Sequence, residues 1–347
     1  MATQTNNPIS DERNFRPQKL ADFIGQAEVK KTLRLMLDAA RKRGSVLEHL
    51  IFYGPPGLGK TTLAAIIAAE MNGRLFELSA SSVKKAGDLA SVLAKVQRND
   101  VVFLDEIHAL GRDVAEILYS AMEDFVLNII VESEKPPVQL HMPPFTLVGA
   151  TTDFGMLPEP MRARFGQSFH LQIYTLDELR QVVGRAADTL GYMYDDDGLD
   201  GIARRSRGTP RVALRLFRRC VDAAINASQD WLDSALVEAT MPVLGLDERG
   251  LDDADRKYLA TLVHVYRGGP VGPRSIAASA NLDLATVETV IEPALLQMSL
   301  IARTPRGRRI TRDGYAHVCT FLAAAPAINW ARVEAADASV PAPSPAS

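Results

Sequence analysis

The run Gly54-Pro55-Pro56-Gly57-Leu58-Gly59-Lys60-Thr61-Thr62 fits the spacing G-x-x-x-x-G-K-[ST], a pattern able to cradle phosphate groups. Its glycines let backbone N–H groups turn toward an anion, and the positive end of a following helix adds to the field. Lys60 is placed to reach the terminal phosphates and Thr61 to offer its hydroxyl to Mg²⁺. The flanks suit this: Leu50–Tyr53 is a short strand-type run and Leu63–Met71 a good helix former. Further along, Val101–Leu104 is an uninterrupted apolar run, as in a parallel strand buried on both faces. It ends in Asp105-Glu106. Asp105 is placed to hold Mg²⁺ through water, and Glu106, one residue beyond, to polarise an attacking water. Together these residues point to phosphoryl transfer to water.

Other residues could complete such a site. Arg164, in Pro160-Met161-Arg162-Ala163-Arg164-Phe165-Gly166, either belongs to the general surface charge or enters a neighbouring subunit's site as an arginine finger. Thr151 and Thr152 follow the strand-like run Phe145–Ala150. Either hydroxyl can orient a water, or cap a helix. Arg211, beside Pro210 at a helix start, can reach a phosphate or simply face solvent. Arg303, Arg306, Arg308 and Arg309 crowd a Pro-Arg-Gly turn, which suits phosphate contacts in nucleic acid or a solvated charge run. The stretch Val126–Met142 has two β-like arms around the polar turn Glu132–Pro137. It is either a docking hairpin or an edge hairpin packed on its own domain.

These residues must be held by elements, and the chain supplies them in blocks. Strand and helix patterns alternate to about Tyr174, with further strands expected at Leu75–Ser79 and Phe169–Ile173, which argues for a parallel sheet covered by helices. From Leu176 to Leu244 only helical spacing remains. Gly245–Gly250 reads as a linker. From Leu251 to Leu322, helices at Ile276–Ala280 and Ala285–Gln297 precede a two-stranded turn, a winged helix-turn-helix pattern. Residues 1–14 and the Ala/Pro/Ser-rich 323–347 are expected to be disordered.

Composition sets limits. The chain has 347 residues, 47% hydrophobic and 23% charged, with net charge −3. Any nucleic-acid contact must therefore be a local basic patch. The two cysteines, Cys220 and Cys319, are too few for a metal or disulfide framework and are both expected to be buried thiols in a reducing compartment. No apolar run has membrane-span length. The expected location is cytoplasmic.

The pattern as a whole resembles the RuvB family, bacterial AAA+ ATPase motors of Holliday-junction branch migration. The resemblance runs over roughly residues 15–320. It is carried by Arg16-Pro17 with Phe23-Ile24-Gly25-Gln26, Gly54–Thr62, Asp105-Glu106-Ile107-His108, Met122-Glu123-Asp124-Phe125 and Pro143–Leu147 running into Gly149-Ala150-Thr151-Thr152. Arg162–Gly166, Arg207-Gly208-Thr209-Pro210-Arg211, Gly269-Pro270-Val271-Gly272 and Arg303-Thr304-Pro305-Arg306-Gly307-Arg308 complete it.

It implies an α/β P-loop AAA+ module with a parallel sheet (1–174), a small all-α lid domain (175–245) and a C-terminal winged-helix domain (251–322). It further implies ATP and Mg²⁺ as cofactors. The nucleotide set is Phe15, Arg16, Gly57, Gly59, Lys60, Thr61, Thr62, Glu123, Asp124, Phe125, Tyr174 and Arg211, with Thr152 or Thr151 as the other sensor. The catalytic set is Lys60, Asp105, Glu106, Arg164 and Thr152. Thr61 and Asp105 serve the metal, Arg303 and Arg308 the DNA. Implied partners are double-stranded DNA at a Holliday junction, RuvA through hairpin 126–142, RuvC, and further copies of the chain in a homo-hexamer. The sequence departs from the family at Asp153, where an arginine is expected, and in its acidic hairpin turn with Pro136-Pro137.

Two other classes share parts of this pattern. A clamp-loader-like AAA+ switch acting on a protein ring would share the loop, the acidic pair and the finger, yet has no need of a winged helix with an arginine wing. A non-enzymatic winged-helix regulator would have no need of Glu106 or Arg164.

Overall fold

The computed structural model describes residues 15–129 and 138–335. The expectations for residues 1–14, for the hairpin turn at 130–137 and for the chain beyond 335 lie outside the described residues. The chain divides into two compact units, Met1–Tyr194 with Gly208–Trp231, and Asp195–Arg207 with Leu232–Ser347. The helical stretch expected at 175–245 is shared between them.

The first unit is built on helix α1 (Ala27–Arg43), β1 (Leu50–Tyr53), α2 (Lys60–Glu70), β2 (Leu75–Ser79), α3 (Ala86–Leu93), β3 (Val101–Asp105) and α4 (Arg112–Glu123). A hairpin, β4 (Val126–Ile129) and β5 (Val138–His141), is followed by β6 (Thr146–Thr151), α5 (Glu159–Arg162), β7 (Gln167–His170) and α6 (Leu176–Leu190). The five-stranded sheet has order β2-β3-β6-β1-β7, and every pairing is parallel. Its central strands are mainly apolar because helices cover both faces; all six residues of β6 are buried, the threonines at its two ends included. Parallel pairing also puts every C-terminal strand end on one edge. There the turn after β1, Asp105 of β3 and Thr151 of β6 come together, the place where open α/β sheets bind ligands. The last strand lies earlier than Phe169–Ile173: it runs from Gln167 to His170, and Leu171 N–H makes a final bond to the Tyr53 carbonyl at 2.8 Å before the chain leaves the sheet.

A buried histidine joins the sheet to α4. His49 Nδ1 accepts from Leu147 N–H at 2.9 Å, and its Nε2–H donates to the Met122 carbonyl at 3.0 Å. Both ring nitrogens are thus used by the neutral tautomer. Burial pulls the His49 pKa below 6.5, against a smaller opposing pull from the Met122 carbonyl. A depressed histidine pKa means that the unfolded chain takes up the proton first. This stability is complete above the unfolded value of about 6.5 and is lost as pH falls below it. An NMR titration should find His49 still neutral at pH 6.5. A midpoint at or above that value would contradict the assignment.

The segment after α6 was expected to be free of strands. It instead holds the two-residue strand β8 (Met193–Tyr194), where Met193 N–H donates to the Asp230 carbonyl at 2.9 Å. Helix α8 (Pro210–Asn226) packs on α6.

The second unit holds α7 (Asp196–Arg204), β9 (Trp231–Leu232, at its border), α9 (Ser234–Val243), α10 (Asp253–His264), α11 (Pro273–Ala280), α12 (Leu284–Thr286), α13 (Glu292–Gln297), β10 (Ile301–Thr304), β11 (Gly307–Ile310), α14 (Arg312–Phe321) and α15 (Trp330–Ala335). The helix expected over Ala285–Gln297 is interrupted by a π turn at Val287–Ile291. Pro293 follows it, has no N–H to donate, and breaks the regular ladder.

Three expectations fail in this unit. Gly245–Gly250 is fastened rather than loose. The Asp247 carbonyl accepts from Arg205 Nε at 3.0 Å, Asp247 Oδ2 meets His317 Nε2 at 2.9 Å, and Arg249 forks onto Asp313 at 2.6 and 2.8 Å. The Gly250 carbonyl takes two donors from Arg207, at 3.0 and 2.8 Å. The tail expected to be disordered from Ala323 forms α15, because Trp330 packs edge-on to Tyr315 at 5.8 Å and Val333 is buried. Cys319 is exposed, on the outer face of α14, while Cys220 is buried as expected.

Candidate functional site

A cavity of about 430 Å³ opens at the C-terminal edge of the parallel sheet. Phe15, Arg16, Gly57, Gly59, Lys60, Thr61, Thr62, Asp105, Glu106, Tyr174 and Arg211 all line it. Most of the residues singled out from sequence therefore converge, although they are spread over nearly two hundred positions.

The loop owes its shape to glycine. Gly54, Gly57 and Gly59 have φ of 135°, 81° and 97°, values that side chains avoid. Space is equally tight: a Cβ on Gly54 would stand 2.7 Å from the Leu171 carbonyl oxygen, and one on Gly57 3.0 Å from Arg211 Cβ. Lys60, the first residue of α2, is 8% exposed. Its Nζ donates to the Gly54 and Pro55 carbonyls at 2.8 and 3.0 Å. Burial lowers its pKa, while the carboxylates of Glu106 and Asp105 oppose that fall and hold the charge. Asp105 is pushed up by burial and by the neighbouring Glu106 carboxylate, against the Glu106 N–H and Lys60.

Glu106 sits in the left-handed region at φ 50°. Its Oε2 accepts from both the N–H and the Oγ1 of Thr152, at 3.3 and 3.1 Å, and pairs with His108 Nδ1 at 3.2 Å. Thr151 is fully buried and engaged elsewhere, with His108 Nδ1 at 2.8 Å and Asp153 N–H at 3.0 Å. Of the two threonines, only Thr152 presents its hydroxyl to the acid. Asp153 is tied to the strand end through its backbone.

The walls are apolar where the phosphate loop is not. Phe15 stacks edge-on to Phe217 at 6.0 Å, and Phe23 lies against Gly59. Tyr174 O–H donates to the Leu58 carbonyl at 3.3 Å and its N–H to the Gly208 carbonyl at 2.9 Å. Burial raises the Tyr174 hydroxyl well above its usual range, so it stays a neutral donor. Glycine-shaped anion loop, buried lysine, two carboxylates and an aromatic wall fit a nucleoside triphosphate.

Sequence reasoning missed Arg185, which also lines the cavity. It donates to the Asp22 and Phe15 carbonyls at 2.5 and 3.0 Å and so holds the segment that carries Phe15. A lone cation on a helix gives no motif, so no sequence signal pointed to it.

Several expected residues lie elsewhere. Glu123, Asp124 and Phe125 are not part of the cavity lining. Phe125 packs with His49 and Phe145 at 6.1 and 5.8 Å, a core role set by its place after α4. Glu123 pairs with Arg164 Nη2 at 3.0 Å. Arg164 also donates to the Pro160 carbonyl at 2.6 Å and lies 4.4 Å from the Tyr119 ring centre. The expected finger is thus laid along α4 of its own chain. In the wing, Arg303 and Arg306 are exposed. Arg308, the other residue expected at the DNA, is partly buried, and its Nε donates to the buried Glu292 at 2.7 Å.

The comparisons with known proteins agree with this geometry. Family models match the chain as the Holliday junction DNA helicase RuvB P-loop domain over residues 15–171, the RuvB AAA lid domain over 174–247 and the RuvB C-terminal winged helix domain over 248–319. The Holliday junction branch migration complex subunit RuvB of Thermotoga maritima is 46% identical over 306 residues, 88% of this chain and 92% of that protein. Its namesake in Limosilactobacillus reuteri is 46% identical over 310 residues, covering 88% and 91%. The solved structure of the Thermotoga maritima RuvB Holliday junction branch migration motor superposes with a TM-score of 0.79 at 46% identity, covering 88% of this chain and 98% of that one. With every part of the chain from the phosphate loop to the wing so matched, this protein belongs to the RuvB family.

Proposed function

We propose that the chain is an ATP-driven motor that moves Holliday-junction DNA. The observation that carries this reading is the gathering of Lys60, Asp105, Glu106, Tyr174 and Arg211 on one cavity, in a chain that also bears a winged helix with exposed Arg303 and Arg306. Lys60 and the loop N–H groups would hold the phosphates. Thr61 and Asp105 would hold Mg²⁺, and Glu106, steadied by Thr152, would take the proton of the attacking water. Arg211 would report the nucleotide state. The bound ion would supply charge neutralisation at the phosphates. Among the described residues no helix is long and apolar enough to cross a membrane, consistent with work in the cytoplasm. We place RuvA, RuvC and five further copies of the chain as partners.

The test is ATP turnover and branch migration on a four-way junction, with and without RuvA, with micrographs for rings. Junction-stimulated turnover with strand exchange is expected. Turnover without migration, accompanied by opening or loading of a protein ring, would instead favour the clamp-loader-like reading.

RuvA would dock on the β4–β5 hairpin. The hairpin is anchored by buried Leu127 and Met142 and leaves Leu140 40% exposed. Leu140→Glu should weaken RuvA binding by about tenfold or more, since burying an unpaired charge in an apolar contact is costly. Turnover without DNA should be spared. Unchanged affinity by calorimetry would move the docking site elsewhere.

A further inference from the structure

Arg308 lies where three parts of the winged helix meet. Its backbone pairs with Arg303 across the hairpin and, on the other side, with Val271: Arg308 N–H donates to the Val271 carbonyl at 2.7 Å, and Val271 N–H returns at 3.0 Å. Gly269, at φ +86°, passes so close that an added Cβ would stand 2.4 Å from the Arg308 carbonyl oxygen. The side chain turns inward. Its Nε donates to Glu292 Oε2 at 2.7 Å, and Glu292 is 1% exposed. Glu292 Oε1 accepts from the hydroxyl of buried Tyr258 at 2.9 Å. Burial and the adjacent carboxylate push the Tyr258 hydroxyl above its usual range, so it remains a donor. A carboxylate this deeply buried must be paired and hydrogen-bonded, and Arg308 and Tyr258 do both.

The node joins one residue each from α10, from the first turn of α13 and from β11. Glu292 is delivered to it by the π turn that precedes Pro293. Across the hairpin Arg303 stands directly opposite Arg308 yet is exposed, as is Arg306 at the tip.

We propose that Arg308 is a positioning residue: through Glu292 and Tyr258 it fixes the β10–β11 wing against α13, so that Arg303 and Arg306 meet the DNA phosphate backbone. The proposal rests on the winged helix being the DNA-binding element. It assigns new roles to Glu292 and Tyr258 and moves Arg308 from contact to support.

Salt titration of duplex affinity on the full-length chain separates contact from support. A residue that touches a phosphate contributes about 0.9 to the slope of log affinity against log salt; a supporting residue contributes nothing. Arg303→Ala should lower the slope by about that amount. The paired variant Arg308→Leu with Glu292→Leu removes one charge of each sign, keeps the core neutral and leaves net charge unchanged. It should keep the wild-type slope while binding about fivefold to tenfold more weakly at every salt concentration. Tyr258→Phe, which changes no charge, should keep the slope and weaken binding about fivefold; it carries the test if the paired variant fails to fold. A slope lowered in the paired variant as in Arg303→Ala would make Arg308 a direct phosphate contact and overturn the proposal. Unchanged affinity in the paired variant, or in Tyr258→Phe, would overturn it as well. If wild-type affinity for duplex shows no salt dependence, it is the DNA reading of the winged helix that falls.

Discussion

Replacing Arg164 by alanine should slow ATP hydrolysis by about 10³–10⁵ while leaving ATP binding nearly intact, the expected cost of losing an arginine finger. In a single chain Arg164 lies along α4, held by Glu123 at 3.0 Å and by the Pro160 carbonyl. To serve a neighbour it must leave the carboxylate of Glu123, which is half exposed and can be resolvated cheaply. The trans role can be tested by mixing. Arg164→Ala retains its phosphate loop, and Lys60→Ala retains its finger. In random one-to-one rings about a quarter of the interfaces pair the two intact halves. Activity above the sum of the separate variants is expected. No recovery in rings shown to contain both variants would confine Arg164 to its own subunit.

Lys60→Ala should weaken ATP binding by about 10²-fold or more. The ammonium makes charge-assisted hydrogen bonds worth roughly 1.5–3 kcal/mol each, and its loss leaves the triphosphate facing Asp105 and Glu106 without compensation. Glu106→Gln should behave differently. It preserves the hydrogen bonds from Thr152 and the shape of the turn, but cannot take a proton, so binding survives while turnover falls by about 10²–10⁴. Fluorescent-nucleotide titration and single-turnover assays separate the two. Normal turnover in the glutamine variant would remove Glu106 from the chemistry.

The site was legible wherever chemistry imposes a fixed local spacing. Gly54–Thr62 must be contiguous because one loop has to wrap one anion, and Asp105-Glu106 must end an apolar strand because only strand ends reach that edge. Contacts made by folding left no such trace. Glu292 and Arg308 are sixteen positions apart, and nothing in either neighbourhood shows that one neutralises the other. Phe125 lies in a stretch shared with the family, but sharing a motif did not say whether it meets a nucleotide or a core. The exposure of Cys319 left no trace because an apolar helical stretch does not by itself show which face turns inward; α14 buries Gly314, His317 and Val318 instead. The segment Trp330–Ala335 was hidden by its composition: surrounding alanines and prolines suggest disorder, whereas Trp330 against Tyr315 and Arg312, buried Val333 and the pairing of Glu334 with Arg312 hold it in place.

The fastening of Gly245–Gly250 has a mechanical consequence. A free six-residue glycine-rich tether would let its ends wander by about 13 Å, taking 5–6 Å times the square root of the residue count. Successive base pairs of a duplex lie only about 3.4 Å apart. An engine working through so slack a coupling would lose single-base-pair displacements in thermal noise. With Arg205 and His317 gripping Asp247, Arg207 gripping Gly250 and Arg249 gripping Asp313, the end of helix α7 and the winged helix are geared rather than tethered. Such a segment is built to pass a displacement from one end to the other rather than to absorb it.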